Sequence, residues 1–185
     1  MNLPRVTAII KATGLTPPYP ANGNYLEKGN AVDMGSRLLF AGHKVEDLEI
    51  DDRIRGYLIS LQLWLEHSGF QAERIQPEYV STRYGFIGHP DVHSLNELWD
   101  VKTGSPAKHY RLQLAGYQIL INESDDFWIQ KRGCLYLREN GEMAKAEPHN
   151  DRADIQAFLS ALKLYQGEQA LERYRENLRK WKEAA

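Results

Sequence analysis

Two short apolar runs lie near one another mid-chain, and each closes on charged residues. Tyr84 to Val92 carries Gly88-His89-Pro90-Asp91 toward its end, and Leu98 to Thr103 carries Asp100-Val101-Lys102. In a strand, residues i and i+2 point to the same face. Asp100 and Lys102 therefore project together, with Val101 on the opposite, core side. If the two runs pair, Asp91 comes close to Asp100. Two carboxylates beside an ammonium make poor structural glue but a good cage for a hard divalent cation. Gln113 and Tyr117 are spaced i, i+4, so a helix after the second run shows both on one face.

The ordered set Pro90-Asp91, Asp100-Val101-Lys102 and Gln113-Leu114-Ala115-Gly116-Tyr117 resembles the PD-(D/E)XK nuclease superfamily. Its Gln-x-x-x-Tyr segment is similar to the RecB-like branch, which includes phage-type exonucleases. Asp-x-Lys alone is common by chance; the strand, strand, helix order carries the likeness. The resemblance implies an α/β fold with a restriction-endonuclease-like core, a central mixed β-sheet flanked by helices. It implies a single nuclease domain over 1–185 with an N-terminal arm of about 1–21. The activity implied is that of a metal-dependent deoxyribonuclease hydrolysing DNA phosphodiester bonds, as an exonuclease in phage recombination or DNA repair. DNA is the implied partner, with a homo-oligomer or a single-strand annealing protein as further partners.

Phosphodiester hydrolysis needs an activated water, neutralised phosphoryl oxygens and a stabilised leaving oxygen, which one or two divalent ions can provide. In this reading Asp91 anchors the metal, Asp100 takes it too, and the Val101 backbone carbonyl adds an oxygen ligand. Oxygen ligands point to Mg²⁺ or Mn²⁺. Lys102 orients the attacking water and offsets charge on the phosphate. By resemblance, Gln113 and Tyr117 flank the site and bond the metal shell or the DNA backbone. Glu78, which follows Pro77, matches a glutamate that the family places near the metal; as a plain edge-strand carboxylate it would simply face water. Gly29-Asn30-Ala31-Val32-Asp33 resembles the family's Gly-x-x-Val-His entry helix, with Asp33 where a metal-facing histidine is expected. Asp33 is read equally as a metal ligand or as a solvated residue paired with Arg37 at i, i+4. Lys108, Tyr110 and Arg111, in the opening turns of the following helix, are candidate substrate-binding groups beside a helix N-terminus that can take a phosphate.

The 185 residues carry a formal net charge of −2, which gives no global nucleic-acid signature. No run is apolar and long enough to span a membrane, and no secretory layout opens the chain. The single cysteine, Cys134, excludes a disulfide framework and a four-cysteine iron–sulfur cluster. A cytoplasmic location fits this usage.

The expected elements run in order. Val6 to Ile10 forms a short helix or extended arm, followed by a Pro17–Pro20 loop. Asn22 to Gly42 is helical, with Leu26, Val32, Gly35, Leu38 and Leu39 as its stripe. A helix capped by Asp51 or Asp52 runs to Gly69. Strands cover Phe70 to Val80, Tyr84 to Val92 and Asn96 to Thr103 as an antiparallel meander. A helix spans Pro106 to Asn122. Lys131 to Arg138 and Met143 to Pro148 pair around Glu139-Asn140-Gly141. Two helices, Asp151 to Tyr165 and Gln169 to Trp181, follow. Two other functions compete. One is an Fe(II) oxygenase using His89 and Asp91 with His149, on an all-strand jelly roll. The other is a non-catalytic DNA-binding or assembly subunit on the nuclease fold.

Overall fold

The computed structural model describes residues 3–14, 16, 23–124 and 126–183. Within them the order is α1 (Val6–Ala12), α2 (Gly23–Phe40), α3 (Asp52–Ser68), β1 (Arg74–Ile75), β2 (Tyr79–Ser81), β3 (Phe86–Gly88), β4 (Val92–His93), β5 (Glu97–Lys102), α4 (Tyr110–Asn122), β6 (Lys131–Tyr136), β7 (Lys145–Pro148) and α5 (Ala153–Glu183). A five-stranded sheet runs β1-β4-β5-β6-β7, and β2 with β3 forms a separate hairpin. β5 and β6 are parallel while the other pairs are antiparallel. The parallel pair needs a crossover, and α4 supplies it. This is the α/β fold expected, a central mixed sheet flanked by helices, and it is not a jelly roll, so the oxygenase reading loses its scaffold.

The two faces of the sheet bury two cores. Leu98 and Cys134 on one face pack with α1, α4 and α5 through Ile9, Leu114, Leu120 and Phe158. Trp99 and Leu135 on the other face pack with α2 and α3 through Val32, Leu39, Leu58 and Leu61. The alternation Leu98, Trp99, Asp100, Val101 follows the two-residue period of a strand. Asp100 consequently shares the α4 face, and Val101 packs among the α3-side residues. Helix α3 starts where the Asp51 side chain accepts the Arg53 N–H at 2.9 Å, and stops at Gly69, whose φ of 66° few other residues adopt.

Several boundaries differ from expectation. The Phe70–Val80 strand is two strands in two sheets, because Gln76 turns to a positive φ of 47° and Pro77 has no N–H for a ladder. The Tyr84–Val92 strand likewise splits into β3 and β4 around Pro90, so the expected meander is interrupted. The helix expected from Pro106 starts at Tyr110, leaving Lys108 in a turn. The two C-terminal helices are one, α5: exposed Gly167 lies inside it, at a cost of about 1 kcal/mol relative to alanine that a long helix absorbs. The Asn22 start of α2 and the Pro17–Pro20 loop lie outside the described residues, and Leu26 outside those whose side chains are described. Among the described residues no helix is long and apolar enough to cross a membrane.

Candidate active site

β4 ends after two residues, while β5 runs three residues past its last rung with β4, to Lys102. The charged end of β5 is thus uncovered on its β4 side, and the bend carrying Asp91 fills that gap. The register Val92 opposite Trp99 sets Asp91 opposite Asp100. The Val101 N–H donates to Asp91 Oδ2 at 2.8 Å. A strand residue turns its N–H and C=O to the same edge, so the Val101 carbonyl also faces the Asp91 side. Lys102, one residue on, faces the other way: its carbonyl accepts the Leu137 N–H at 2.8 Å.

Asp100 is 1% exposed and forms an ion pair with Lys102. The Lys102 ammonium lies 4.4 Å from the centre of the Tyr110 ring. Gln113 donates through Nε2 to Asp100 Oδ1 at 3.5 Å and to the Tyr117 hydroxyl oxygen at 3.1 Å. Tyr117 fits there because Gly88 has no side chain: a Cβ on Gly88 would lie 2.9 Å from the tyrosine ring. Asp91, Asp100, Lys102, Gln113 and Tyr117 are therefore brought together by one strand, one bend and one helix.

The electrostatics follow from burial and mutual charge. Burial, then the charge of Asp100, pushes the Asp91 carboxyl up to about 7; Lys102 and the Val101 N–H oppose the shift. Burial works against the Lys102 ammonium, but Asp100 and Asp91 outweigh it and hold its pKa above the ordinary value. Burial and then Asp100 raise Tyr117, which stays a phenol. Opposite Asp100 in the β5–β6 register, the buried Cys134 thiol is pushed up to about 12, by burial and then by Asp100, so it is inert.

Other candidates are placed differently. Glu78 is exposed, and its carboxylate lies 3.4 Å from His89 Nε2. Asp33 pairs with Arg37 on its own helix and accepts from Gln76 Nε2 at 2.6 Å; its charge still reaches Asp91. Lys108 is exposed in the turn before α4. Arg111 reaches Asp154 at 3.3 Å, so it is committed to α5. His149 sits 3.7 Å from Glu147. Sequence reasoning missed Gln76 as a neighbour of the site. A residue before proline was its only mark, and that does not foretell a left-handed backbone.

The donor set suits a hard cation. Asp100 Oδ2 is buried against the Lys102 ammonium, so a cation bound there would share that oxygen with Lys102. Among the described residues no group of three His, Cys, Asp or Glu side chains could hold a metal. Two carboxylates and a carbonyl are instead the sparse protein set that suits Mg²⁺, which keeps several of its waters.

No protein-family model matches the chain, and no curated protein matches it. A solved structure from Eubacterium rectale, assigned as an exonuclease, superposes with a TM-score of 0.51 at 12% identity, over 87% of this chain and 71% of that one. The chain shares the fold of that structure. An alkaline exonuclease from Laribacter hongkongensis aligns over 94% of this chain and 93% of that one, at 14% identity and a TM-score of 0.46. In this fold, the charged end of β5 and the first turns of α4 carry the convergent side chains described above.

Proposed function

We propose that the protein is a divalent-metal-dependent deoxyribonuclease, acting as an exonuclease on DNA ends in recombination or repair of the phage type. The observation that carries this reading is the convergence of Asp91, Asp100, Lys102, Gln113 and Tyr117 at the C-terminal end of β5. Asp91, Asp100 and the Val101 carbonyl would hold Mg²⁺ or Mn²⁺. A cation bound there supplies positive charge to the phosphoryl oxygens and acidifies a bound water.

The chain's own groups have separable tasks. Lys102 keeps its proton, so it serves as a hydrogen-bond donor and fixed charge that orients water and phosphate, not as a base. Tyr110 limits where the ammonium can move. Gln113 holds Asp100 with one amide hydrogen and Tyr117 with the other. Tyr117 thus accepts from Gln113 and still has its own proton to donate to an oxygen of the substrate. A homo-oligomer or a strand-annealing partner would keep such an enzyme on its substrate.

The test is cleavage of end-labelled linear and closed-circular DNA with Mn²⁺, Mg²⁺ or EDTA, alongside Lys102→Ala. The expected result is metal-dependent loss of linear DNA, an intact circle and an inactive variant. Cutting of the circle would replace exonuclease by endonuclease. If neither DNA is cut and no cation binds, the non-catalytic DNA-binding subunit takes its place.

A further inference from the structure

Gln76 is the one described non-glycine residue with a positive φ, 47°, and it precedes a proline. Left-handed backbone is unfavourable for a residue with a Cβ, and the position before proline is restricted further. Such an outlier persists only where its surroundings hold it, which makes it a pointer to function. Two hydrogen bonds do the holding here. The Gln76 N–H donates to the Asp91 carbonyl at 2.8 Å, and Gln76 Nε2 donates to Asp33 Oδ1 at 2.6 Å.

The location gives these bonds their meaning. Asp91 sits in a bend between β3 and β4, just after Pro90, so no strand ladder fixes it from the N-terminal side. The register of β1 and β4 sets Gln76 opposite Asp91, at the point where the ladder stops. Asp91 is therefore gripped from both flanks: by Val101 on its side chain and by Gln76 on its carbonyl. The Gln76 side chain then reaches across to α2 and ties Asp33, whose other oxygen is held by Arg37. Asp33 is anchored to its neighbours on both oxygens.

We propose that Gln76 is a positioning residue that locks the Asp91 bend and latches Asp33 to it, so that Asp33 is held by Gln76 and Arg37 instead of serving as a primary metal ligand. The inference rests on the metal-site reading above. Partners behind a ligating carboxylate fix its orientation, and their loss typically lowers metal affinity roughly 10-fold or more.

The experiment is Mn²⁺ binding by titration calorimetry on the full chain, with thermal melting of the metal-free protein beside it. The variants are Gln76→Gly, Gln76→Asn, Asp33→Asn, Asp91→Asn and Asp100→Asn. Gln76→Gly removes the latch and relaxes the backbone. It should keep or raise the melting temperature while Mn²⁺ affinity falls roughly 10-fold; a merely structural residue would not separate the two. Gln76→Asn tolerates the left-handed backbone but is one methylene short of Asp33, so it should lose part of the same affinity. Asp33→Asn should bind with unchanged stoichiometry, whereas Asp91→Asn and Asp100→Asn should not bind detectably. Wild-type affinity in Gln76→Gly, with binding lost in Asp91→Asn, overturns the latch and leaves the nuclease reading standing. Loss of binding in Asp33→Asn equal to that in Asp91→Asn makes Asp33 a ligand and also overturns the proposal. Wild-type binding in Asp91→Asn and Asp100→Asn removes the metal site and the proposal together.

Discussion

The backbone N–H of Val101 donates to Asp91 Oδ2 at 2.8 Å, so one residue of β5 holds the carboxylate whose register partner is Asp100. The bond lies between the two side chains of β5 that share the opposite face, Asp100 and Lys102. It places the two acids side by side before any cation arrives, and it makes the site preorganised rather than assembled on binding.

The Asp100–Lys102 pair is nearly closed to solvent, with Asp100 1% and Lys102 16% exposed at the side chain. Removing one partner leaves a buried charge uncompensated, which typically costs about 3 kcal/mol. Lys102→Met should therefore lower urea stability by about that amount, besides reducing cleavage at least ~100-fold. Adding Asp100→Asn should restore most of the stability and none of the activity. Equal stability of wild type and Lys102→Met would refute a buried charge pair.

The Asp91 carboxyl, ordinarily near 3.8, is pushed up to about 7. Folded metal-free protein thus holds this proton to higher pH than the unfolded chain. Raising the pH from about 4 to about 7 should then destabilise it. Cation binding needs the ionised form, so Mn²⁺ affinity should climb through the same range and level off above about 7. Melting and calorimetry across that range check both trends, and Asp91→Asn should abolish the stability trend. An affinity flat from about pH 5 to about pH 8 contradicts the assignment.

His93 is fully buried at the junction of the two sheets. Its Nδ1–H donates to the Ser94 carbonyl at 2.8 Å, and its Nε2 accepts from the Tyr79 hydroxyl at 2.8 Å. Burial lowers its pKa from 6.5. The neutral ring contributes its full stability above about pH 6.5, and that contribution is lost as pH falls and the unfolded chain takes up the proton first. His93→Gln should be less stable at neutral pH yet show a shallower loss on acidification, measured by urea unfolding at several pH values. An acid slope unchanged in the variant would show that His93 does not cause it.

Gly56 on α3 lies beneath the loop between β6 and β7. A Cβ there would sit 1.8 Å from the Glu139 carbonyl oxygen, a backbone atom. Gly56→Ala should force that loop away and cost about 1–3 kcal/mol. Urea unfolding of the variant checks this, and wild-type stability would refute the close contact.

The sequence by itself determined which side chains would share a face. Asp100 and Lys102 meet because a strand repeats every two residues, and Gln113 reaches Tyr117 because a helix brings i and i+4 together. The start of α3 at Asp51 and its stop at Gly69 were legible for the same local reason. Tertiary structure alone decided where ladders stop and which long side chains are already engaged. Pro77 and Pro90 are visible in the chain, but only the packed molecule shows that they send β2 and β3 into a separate hairpin and leave Asp91 in a bend. Arg111 reads as a free cation until α5 brings Asp154 to it, 43 residues on. Asp33 reads as a ligand or a surface acid until Gln76 arrives from the end of β1. Periodicity is local and survives in a string of letters; the partner of a long polar side chain is chosen by distant segments that meet only when the cores on both faces of the sheet have closed.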